Sequence, residues 1–182
     1  MAELKPLDIE GAWLFNSPVH SDPRGYFREW FKLPDVKQVI GRNFPIAQAN
    51  LSRSKRGVVR GIHFSHAPEG QAKWVTCVEG AIWDVVVDIR PESPTFKHWV
   101  GHELRAGDGK ALMISEGLGH AFLALEDESV ISYLLTTPYS PQHEFAIYPA
   151  DPEIGIDWPL NEIFFSDKDK EAPTLSEFLS RS

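Results

Sequence analysis

Short apolar runs, separated by glycines and prolines, restrict this chain to a fold rich in strands. Residues 81–90, AIWDVVVDIR, alternate two sets of side chains, which is typical of a strand with polar groups on one face. Similar runs occupy residues 73–78, 110–115, 120–125, 130–136 and 144–149. We therefore predict an all-β fold in which many short antiparallel strands form a sandwich or barrel.

Helical periodicity is scarce. The segment LPDVKQVI, residues 33–40, predicts one short helix, and TLSEFLS, residues 174–180, predicts another near the end of the chain. With 182 residues, of which 42% are hydrophobic, the chain can bury a sizeable core. We expect a single domain over residues 1–182.

Charge and cysteine content exclude several classes of function. The net charge of -8 repels polyanions, which argues against nucleic acid or an anionic membrane as the main partner. A small phosphorylated ligand is still compatible, because a few local Arg and Lys residues suffice to bind it. One cysteine, Cys77, cannot form an intrachain disulfide, and the segment MAELKPLDIE has no apolar run of the signal-peptide type. These features predict a cytoplasmic protein without a membrane span.

The run IAQANLSRS, residues 46–54, has an unusual polar face. Its alternate residues are Gln48, Asn50, Ser52 and Ser54. A solvated outer face is one interpretation, but such faces usually carry Lys and Glu. Neutral hydrogen-bonding side chains favour the wall of a polar cavity.

The segment RGVVRGIHFSH, residues 56–66, places His63 near the end of a strand-like run. Its imidazole could be a base, a metal ligand or a packed side chain. Arg60 lies nearby, but a regular strand directs residues 60 and 63 to opposite faces. Their joint use in one site requires a bulge, which the glycines Gly57 and Gly61 would permit.

A metal site is the main competing interpretation of these histidines. His63, His66, Glu69 and His120 superficially resemble the ligands of a cupin metal centre. However, His63 and His66 are three residues apart, so their side chains should diverge on a strand. We therefore expect no bound metal.

No glycine-rich phosphate loop, nucleophile elbow or dinucleotide fingerprint occurs in the sequence. Acid/base chemistry remains, with His63 as a candidate base, Tyr133 as a candidate proton donor and Lys73 as a cation for developing negative charge. For Tyr133 and Lys73 alone, packing on an amphipathic strand and a surface charge are the simpler interpretations.

Six segments together resemble the dTDP-4-dehydrorhamnose 3,5-epimerases and related enzymes of antibiotic sugar pathways. These segments are DPRGYFREWF (22–31), QANLSRSKRGVVRGIHF (48–64), QAKWVTCVEGAIWDVVVDIRPESPTF (71–96), EGLGHAF (116–122), DPEIGIDWP (151–159) and SDKDKEAP (166–173). The resemblance covers nearly the whole chain. It implies a cupin-like antiparallel jelly-roll barrel, a homodimer, no cofactor and a dTDP-4-keto-6-deoxyhexose substrate.

The resemblance also implies a role for each catalytic residue. His63 would remove the proton alpha to the ketone, and Asp169 would orient its imidazole. Lys73 would stabilise the enolate oxygen, and Tyr133 would return a proton on the opposite face of the ring. These residue types suit the chemistry, because such a proton becomes removable only if the enolate is stabilised as it forms.

Further residues would contact the nucleotide-sugar in the same way. The implied contacts are Arg24, Phe27, Glu29, Gln48, Asn50, Arg60, His120, Tyr139, Glu144 and Lys168. Arg24 and Arg60 suit the diphosphate, because guanidinium groups bind phosphate oxygens in pairs. Phe27 and Tyr139 would pack on the thymidine end. The segment RGYFRE, residues 24–29, would serve the site of the neighbouring subunit.

Three departures from the family pattern concern the exact reaction. Ser65 stands where many members have glutamine, GHAF at 119–122 replaces AHGF, and Pro138 replaces a tyrosine. These changes resemble the actinobacterial and antibiotic-pathway branch, whose members epimerise at C3 and C5 or at one of them. We predict epimerisation at both carbons. The alternatives are single-site epimerisation and, more remotely, a non-catalytic nucleotide-sugar binding barrel or a metal cupin.

Overall fold

The computed structural model describes residues 3–66 and 70–181, in which antiparallel strands predominate. The strands are β1 (Glu3–Pro6), β2 (Ala12–Asn16), β3 (His20–Asp22), β4 (Gly25–Phe27), β5 (Gln48–Ser54), β6 (Val59–Ser65), β7 (Lys73–Glu79), β8 (Ala81–Asp88), β9 (Trp99–Arg105), β10 (Lys110–Ile114), β11 (Leu118–Ala124), β12 (Ser129–Leu135) and β13 (Glu144–Ala146). The helices are α1 (Leu33–Ile40), α2 (Asp167–Lys170) and α3 (Leu175–Arg181), with one 3₁₀ turn at Pro141–His143.

Two sheets face each other and enclose the main core. One has the strand order β1-β2-β10-β7-β12-β5 and the other the order β13-β6-β11-β8-β9, while β3 and β4 form a separate hairpin. All pairings between these strands are antiparallel. The predicted all-β, cupin-like jelly roll is therefore confirmed. Among the described residues, no helix is long and apolar enough to cross a bilayer.

The alternation of side chains along the strands determines which residues fill the barrel. Val75 and Cys77 of β7 face inward and meet Ile82 and Val86 of β8 in one buried cluster. Two further clusters cover the outer faces of the sheets. One lies beneath α1 and includes Trp74, and the other lies beneath α3. Both faces of each sheet are thus partly buried, which explains the nearly continuous apolar runs in the sequence.

The predicted elements agree with the observed ones, with small differences at their ends. The helix at 33–40 is found as predicted, and the second helix begins at Leu175. The run 144–149 forms a strand only over Glu144–Ala146, although Ile147 still exchanges main-chain hydrogen bonds with Ile62. The strands β1 to β4 and β9 and the short helix α2 were not predicted.

Strand β6 contains the bulge that the sequence analysis required. Its register with β11 shifts from His63 opposite His120 to Arg60 opposite Phe122, so β6 has one extra residue. Gly61 lies within this bulge, where a Cβ atom would lie 2.6 Å from the carbonyl oxygen of His120. Only glycine permits this approach of the two backbones.

Candidate active site

A polar cleft of about 220 Å³ opens between the two sheets near the start of β7 and the end of β12. Strands from both sheets contribute to it. Its lining residues are Gln48, Asn50, His63, Gln71, Lys73, Tyr133, Leu135, Tyr139, Glu144, Phe145 and Lys168. The fold therefore brings residues that are distant in the sequence into one site.

His63 is held by a buried carboxylate. Its Nε2 lies 2.7 Å from Oδ1 of Asp169, which comes from α2, more than one hundred residues further along the chain. An ionised carboxylate can only accept hydrogen bonds, so Nε2 donates the proton. This leaves Nδ1 as the basic nitrogen of the imidazole. The predicted pairing of His63 with Asp169 is present in the structure.

Asp169 is fixed by the first turn of α2. Ser166 precedes this helix, and its Oγ accepts from the main-chain N–H of Asp169 and donates to Oδ2 at 2.8 Å. Burial raises the pKa of Asp169, but the hydrogen bond and charge of His63, with the Ser166 hydroxyl and the charge of Lys168, lower this pKa overall. Asp169 is therefore ionised at neutral pH and can stabilise a protonated His63.

Lys73 begins β7 at the rim of the barrel. It follows the inward alternation of Val75 and Cys77, and the residue is 7% exposed. Its Nζ donates to the main-chain oxygen of His63 at 3.2 Å. Burial lowers the pKa of Lys73 to about 8, against the opposing charges of Glu144 and Asp84. The surface-charge interpretation of Lys73 is therefore wrong.

Tyr133 lies on the facing sheet from His63. On β12 it is paired with Asn50 of β5 and Val75 of β7. It packs against the inner core while lining the cleft. A base on one sheet and a phenol on the other can address opposite sides of a molecule bound between them.

The polar face of β5 forms one wall of the cleft, as predicted. Gln48 and Asn50 line the cleft and hydrogen-bond to each other at 2.9 Å, while Ala49 and Leu51 on the reverse face are exposed. Gln48 also accepts from the main-chain N–H of Tyr139 at 2.8 Å.

Three other predicted contacts line the cleft, whereas Arg60 and His120 do not. Tyr139, Glu144 and Lys168 line it. Arg60 crosses towards the other sheet, where it donates to Ser54 Oγ and the main-chain oxygen of Arg53 on β5. His120 is buried next to His63, and its Nε2 lies 2.9 Å from Asp84.

The N-terminal residues predicted to bind substrate lie elsewhere in this chain. Arg24 is exposed and ion-paired with Asp22 in the β3–β4 hairpin, and Phe27 in the same hairpin is 65% exposed. Glu29 lines a separate cleft of about 540 Å³ beside α1. The cleft around His63 therefore does not include these three residues.

His63 and His66, two of the three histidines considered as metal ligands, diverge as predicted. His63 faces the cleft, whereas His66 packs against the rings of Phe64, Phe145 and Phe178. Glu69 lies outside the described residues. Within residues 3–66 and 70–181, no three His, Cys, Asp or Glu side chains are grouped as a metal site would require.

Sequence reasoning did not single out Asp84, Ser166 or Gln71. Asp84 was visible as a carboxylate between Ile82 and Val86 on the face of 81–90 that also carries Asp88. Ser166 stands three residues before Asp169, which is the spacing of a helix N-cap. Both signals were present but could not be interpreted without their partners.

Residues 6–177 match the family described as dTDP-4-dehydrorhamnose 3,5-epimerase. The chain belongs to this family. An epimerase family member from Mycolicibacterium smegmatis, a dTDP-4-dehydrorhamnose 3,5-epimerase, is 49% identical over 95% of this chain and 86% of its own length. The dTDP-4-dehydrorhamnose 3-epimerase of Streptomyces niveus is 48% identical over 96% of this chain and 84% of its own.

A solved structure of the epimerase family has nearly the same fold. It is NovW, a 4-keto-6-deoxy sugar epimerase from the novobiocin gene cluster of Streptomyces spheroides. Its TM-score is 0.97 at 46% sequence identity, and the match covers 100% of this chain and 91% of NovW. This chain and a solved sugar epimerase therefore share the same fold.

Proposed function

We propose that this epimerase inverts dTDP-4-keto-6-deoxy-D-glucose at C3 and C5 by acid/base catalysis. One observation carries the proposal: His63, paired with buried Asp169, shares a cleft with Lys73 and Tyr133, which come from the facing sheet. This set contains a base, a cation and a proton donor. No cofactor is needed for the reaction, since the ketone itself makes the neighbouring C–H bonds acidic.

The proposed reaction begins when Nδ1 of His63 takes the proton from a carbon next to the C4 ketone. The electron pair of the C–H bond forms the enolate, whose oxygen is stabilised by the ammonium group of Lys73. The phenol of Tyr133 then donates its proton to the same carbon from the other face, and the phenolate regains a proton from solvent. Asp169 stabilises the imidazolium that His63 becomes, and this imidazolium then gives its extra proton to solvent, which restores the base.

The remaining cleft residues are proposed to bind the nucleotide-sugar. Gln48, Asn50, Glu144 and Lys168 provide acceptors and donors, and Tyr139 provides an exposed ring. Arg60 and His120, which do not line the cleft itself, would complete the contacts. The cleft of about 220 Å³ is too small to cover a whole nucleotide-sugar, which supports substrate contacts from residues outside the cleft.

We propose that the enzyme is a homodimer in the cytoplasm, with one domain over residues 1–182. The hairpin with Arg24 and Phe27, and the following Glu29, would reach the site of the partner subunit. The exposure of the Phe27 ring, 65%, supports such a role. Tyr26 of the same hairpin is 53% exposed, and several apolar side chains exposed within one small region often mark a contact with another protein.

A second candidate function is epimerisation at one carbon. It is favoured by the Streptomyces niveus relative, which is named a 3-epimerase. Both reactions use the same acid/base set, so the presence of His63, Lys73 and Tyr133 does not distinguish them. The number of carbons that exchange a proton with solvent distinguishes the two reactions.

Proton NMR of the substrate with the enzyme in D2O tests the proposal. We expect deuterium at both C3 and C5, because each abstracted proton is replaced from solvent. Deuterium at one carbon would instead identify a single-site epimerase. Binding of dTDP without any exchange would identify a nucleotide-sugar binding barrel and refute catalysis. His63→Ala serves as the control and should slow exchange by about 10²–10⁴-fold while retaining dTDP binding.

A further inference from the structure

Lys73 lies where an ammonium group is disfavoured. Only 7% of the residue is exposed, and its hydrogen bond to the main-chain oxygen of His63 brings no full negative charge. Loss of hydration favours the neutral amine. The proposed function needs the ammonium form, so other groups must offset the burial.

Asp84 provides a negative charge inside the barrel. It alternates with Ile82 and Val86 on the inner face of β8 and is fully buried. Its two carboxylate oxygens lie 2.9 and 3.0 Å from Nε2 of His120. Water screens this charge weakly, because the surrounding core is apolar and has a low effective dielectric constant.

Glu144 provides a second negative charge at the wall of the cleft. It begins β13 opposite Ser65 of β6 and lines the same cleft as Lys73. Its Oε1 is buried and has no hydrogen-bond partner within the described part of the chain. A buried carboxylate oxygen without a donor is unfavourable unless a nearby positive charge compensates it.

Other ionisable groups near Lys73 do not replace these two carboxylates. Among the described residues, these are His63, Tyr133, Tyr139 and Lys168 in the cleft, His120 behind it, and His102 opposite Asp84 on β9. Lys168 has the same charge as Lys73, and Asp169 is already engaged by His63 and Ser166. Burial lowers the pKa of Lys73 to about 8, while Glu144 and Asp84 both act to raise it.

We propose that Asp84 and Glu144 are positioning residues that act through Lys73, together holding its ammonium form in the buried wall of the cleft. Glu144 would thus have a role in the free enzyme, before any sugar binds. The purpose of this arrangement rests on the proposed function, but the protonation of Lys73 can be measured without substrate.

Trace acetylation tests the proposal directly, because acetic anhydride reacts with the neutral amine and not with the ammonium. The yield on the peptide containing Lys73, measured by mass spectrometry across neutral and alkaline pH, gives a midpoint. We expect a midpoint of about 8 in the parent enzyme. Asp84→Asn and Glu144→Gln should each lower it by about one pH unit. Glu144→Asp keeps the charge and should restore most of the difference.

Asp151→Asn is the matched control. Asp151 is 2% exposed, but it accepts from the main-chain N–H groups of Glu153 and Leu175, away from the cleft. It should leave the midpoint unchanged. An equal shift in Asp151→Asn would overturn the proposal, because the effect would then be general to buried carboxylates.

An unchanged midpoint in either folded variant would also overturn the joint assignment. Thermal unfolding shows whether each variant is folded, and if Asp84→Asn does not fold, Glu144→Gln decides the result. Failure of the proposed function has a different signature, namely no deuterium exchange by the parent enzyme whatever the labelling of Lys73.

Discussion

Asp169→Asn removes the charge behind the proposed base while keeping the shape of the side chain. In the parent, Asp169 is 3% exposed and lies 2.7 Å from His63 Nε2, with Ser166 holding its second oxygen. Asparagine can still accept from Nε2 through its amide oxygen, but it carries no charge. The imidazolium formed during proton abstraction then loses its counter-charge.

The expected magnitude follows from this geometry. A hydrogen bond to a charged group contributes about 1.5–3 kcal/mol, and the near-complete burial of Asp169 means that water cannot replace it. Since about 1.4 kcal/mol corresponds to a tenfold change in rate, proton abstraction should slow by about 10–100-fold. Substrate binding should change little, because Asp169 acts through His63.

The assay is the initial rate of deuterium incorporation, measured by NMR at saturating substrate. Asp167→Asn is the control, since it removes the same charge from the same helix at a side chain that is 92% exposed. It should leave the rate within about twofold of the parent, as exposed charges interact weakly. An undiminished rate in a folded Asp169→Asn enzyme, or an equal loss in Asp167→Asn, would refute the role of the pair.

Tyr133→Phe should let deuterium enter with retained configuration while the inverted sugar forms slowly, because the protonated His63 exchanges with D2O and returns a deuteron to the original face. An unchanged rate of product formation by NMR would contradict this. Exchange should survive exhaustive chelation, and its loss with EDTA and recovery with one divalent ion would favour a metal site. Asp88→Asn should lower the free energy of unfolding by about 2–4 kcal/mol at neutral pH, measured in urea, because buried Asp88 accepts from Arg90. Burial raises the pKa of Asp88, but its hydrogen bonds with Arg90, Ser93 and Thr95 lower this pKa overall. The stabilisation by Asp88 is therefore lost below about pH 4, and the free energy of unfolding of Asp88→Asn should depend less on pH in acid.

The strands with strong alternation were predictable, whereas those at the N-terminus and β9 were not. The run 81–90 contains Val85 and Val87 beneath one outer layer and Ile82 and Val86 inside the barrel, so its pattern is strong. Strand β1, Glu3–Pro6, is largely exposed and paired along one edge only. Because few side chains of β1 are buried, its sequence shows little alternation between apolar and polar residues.

Prediction of the site succeeded where the sequence carried a local signal. The polar face of β5 and the bulge near Gly61 follow from alternation and from glycine, and both are observed. The pairing of His63 with Asp169 came from the family resemblance, since no local pattern links residues so distant in the chain. The burial of Lys73 was also hidden, because it depends on how the two sheets close around the first residue of β7.

The buried position of Lys73 has two opposing consequences for the proposed chemistry. A low dielectric strengthens the attraction between an ammonium group and an enolate oxygen, but it also favours loss of the proton that makes the group charged. A direct ion pair with a carboxylate would keep the proton on Lys73 but weaken its attraction to the enolate, since the carboxylate would occupy the N–H groups and cancel the positive field. Within the described part of the chain, Lys73 has no such ion pair: one N–H contacts the oxygen of His63, which leaves two of its three donors for substrate. Carboxylates held nearby without direct contact, Asp84 and Glu144, can therefore keep the proton on Lys73 and still leave its charge available to the enolate.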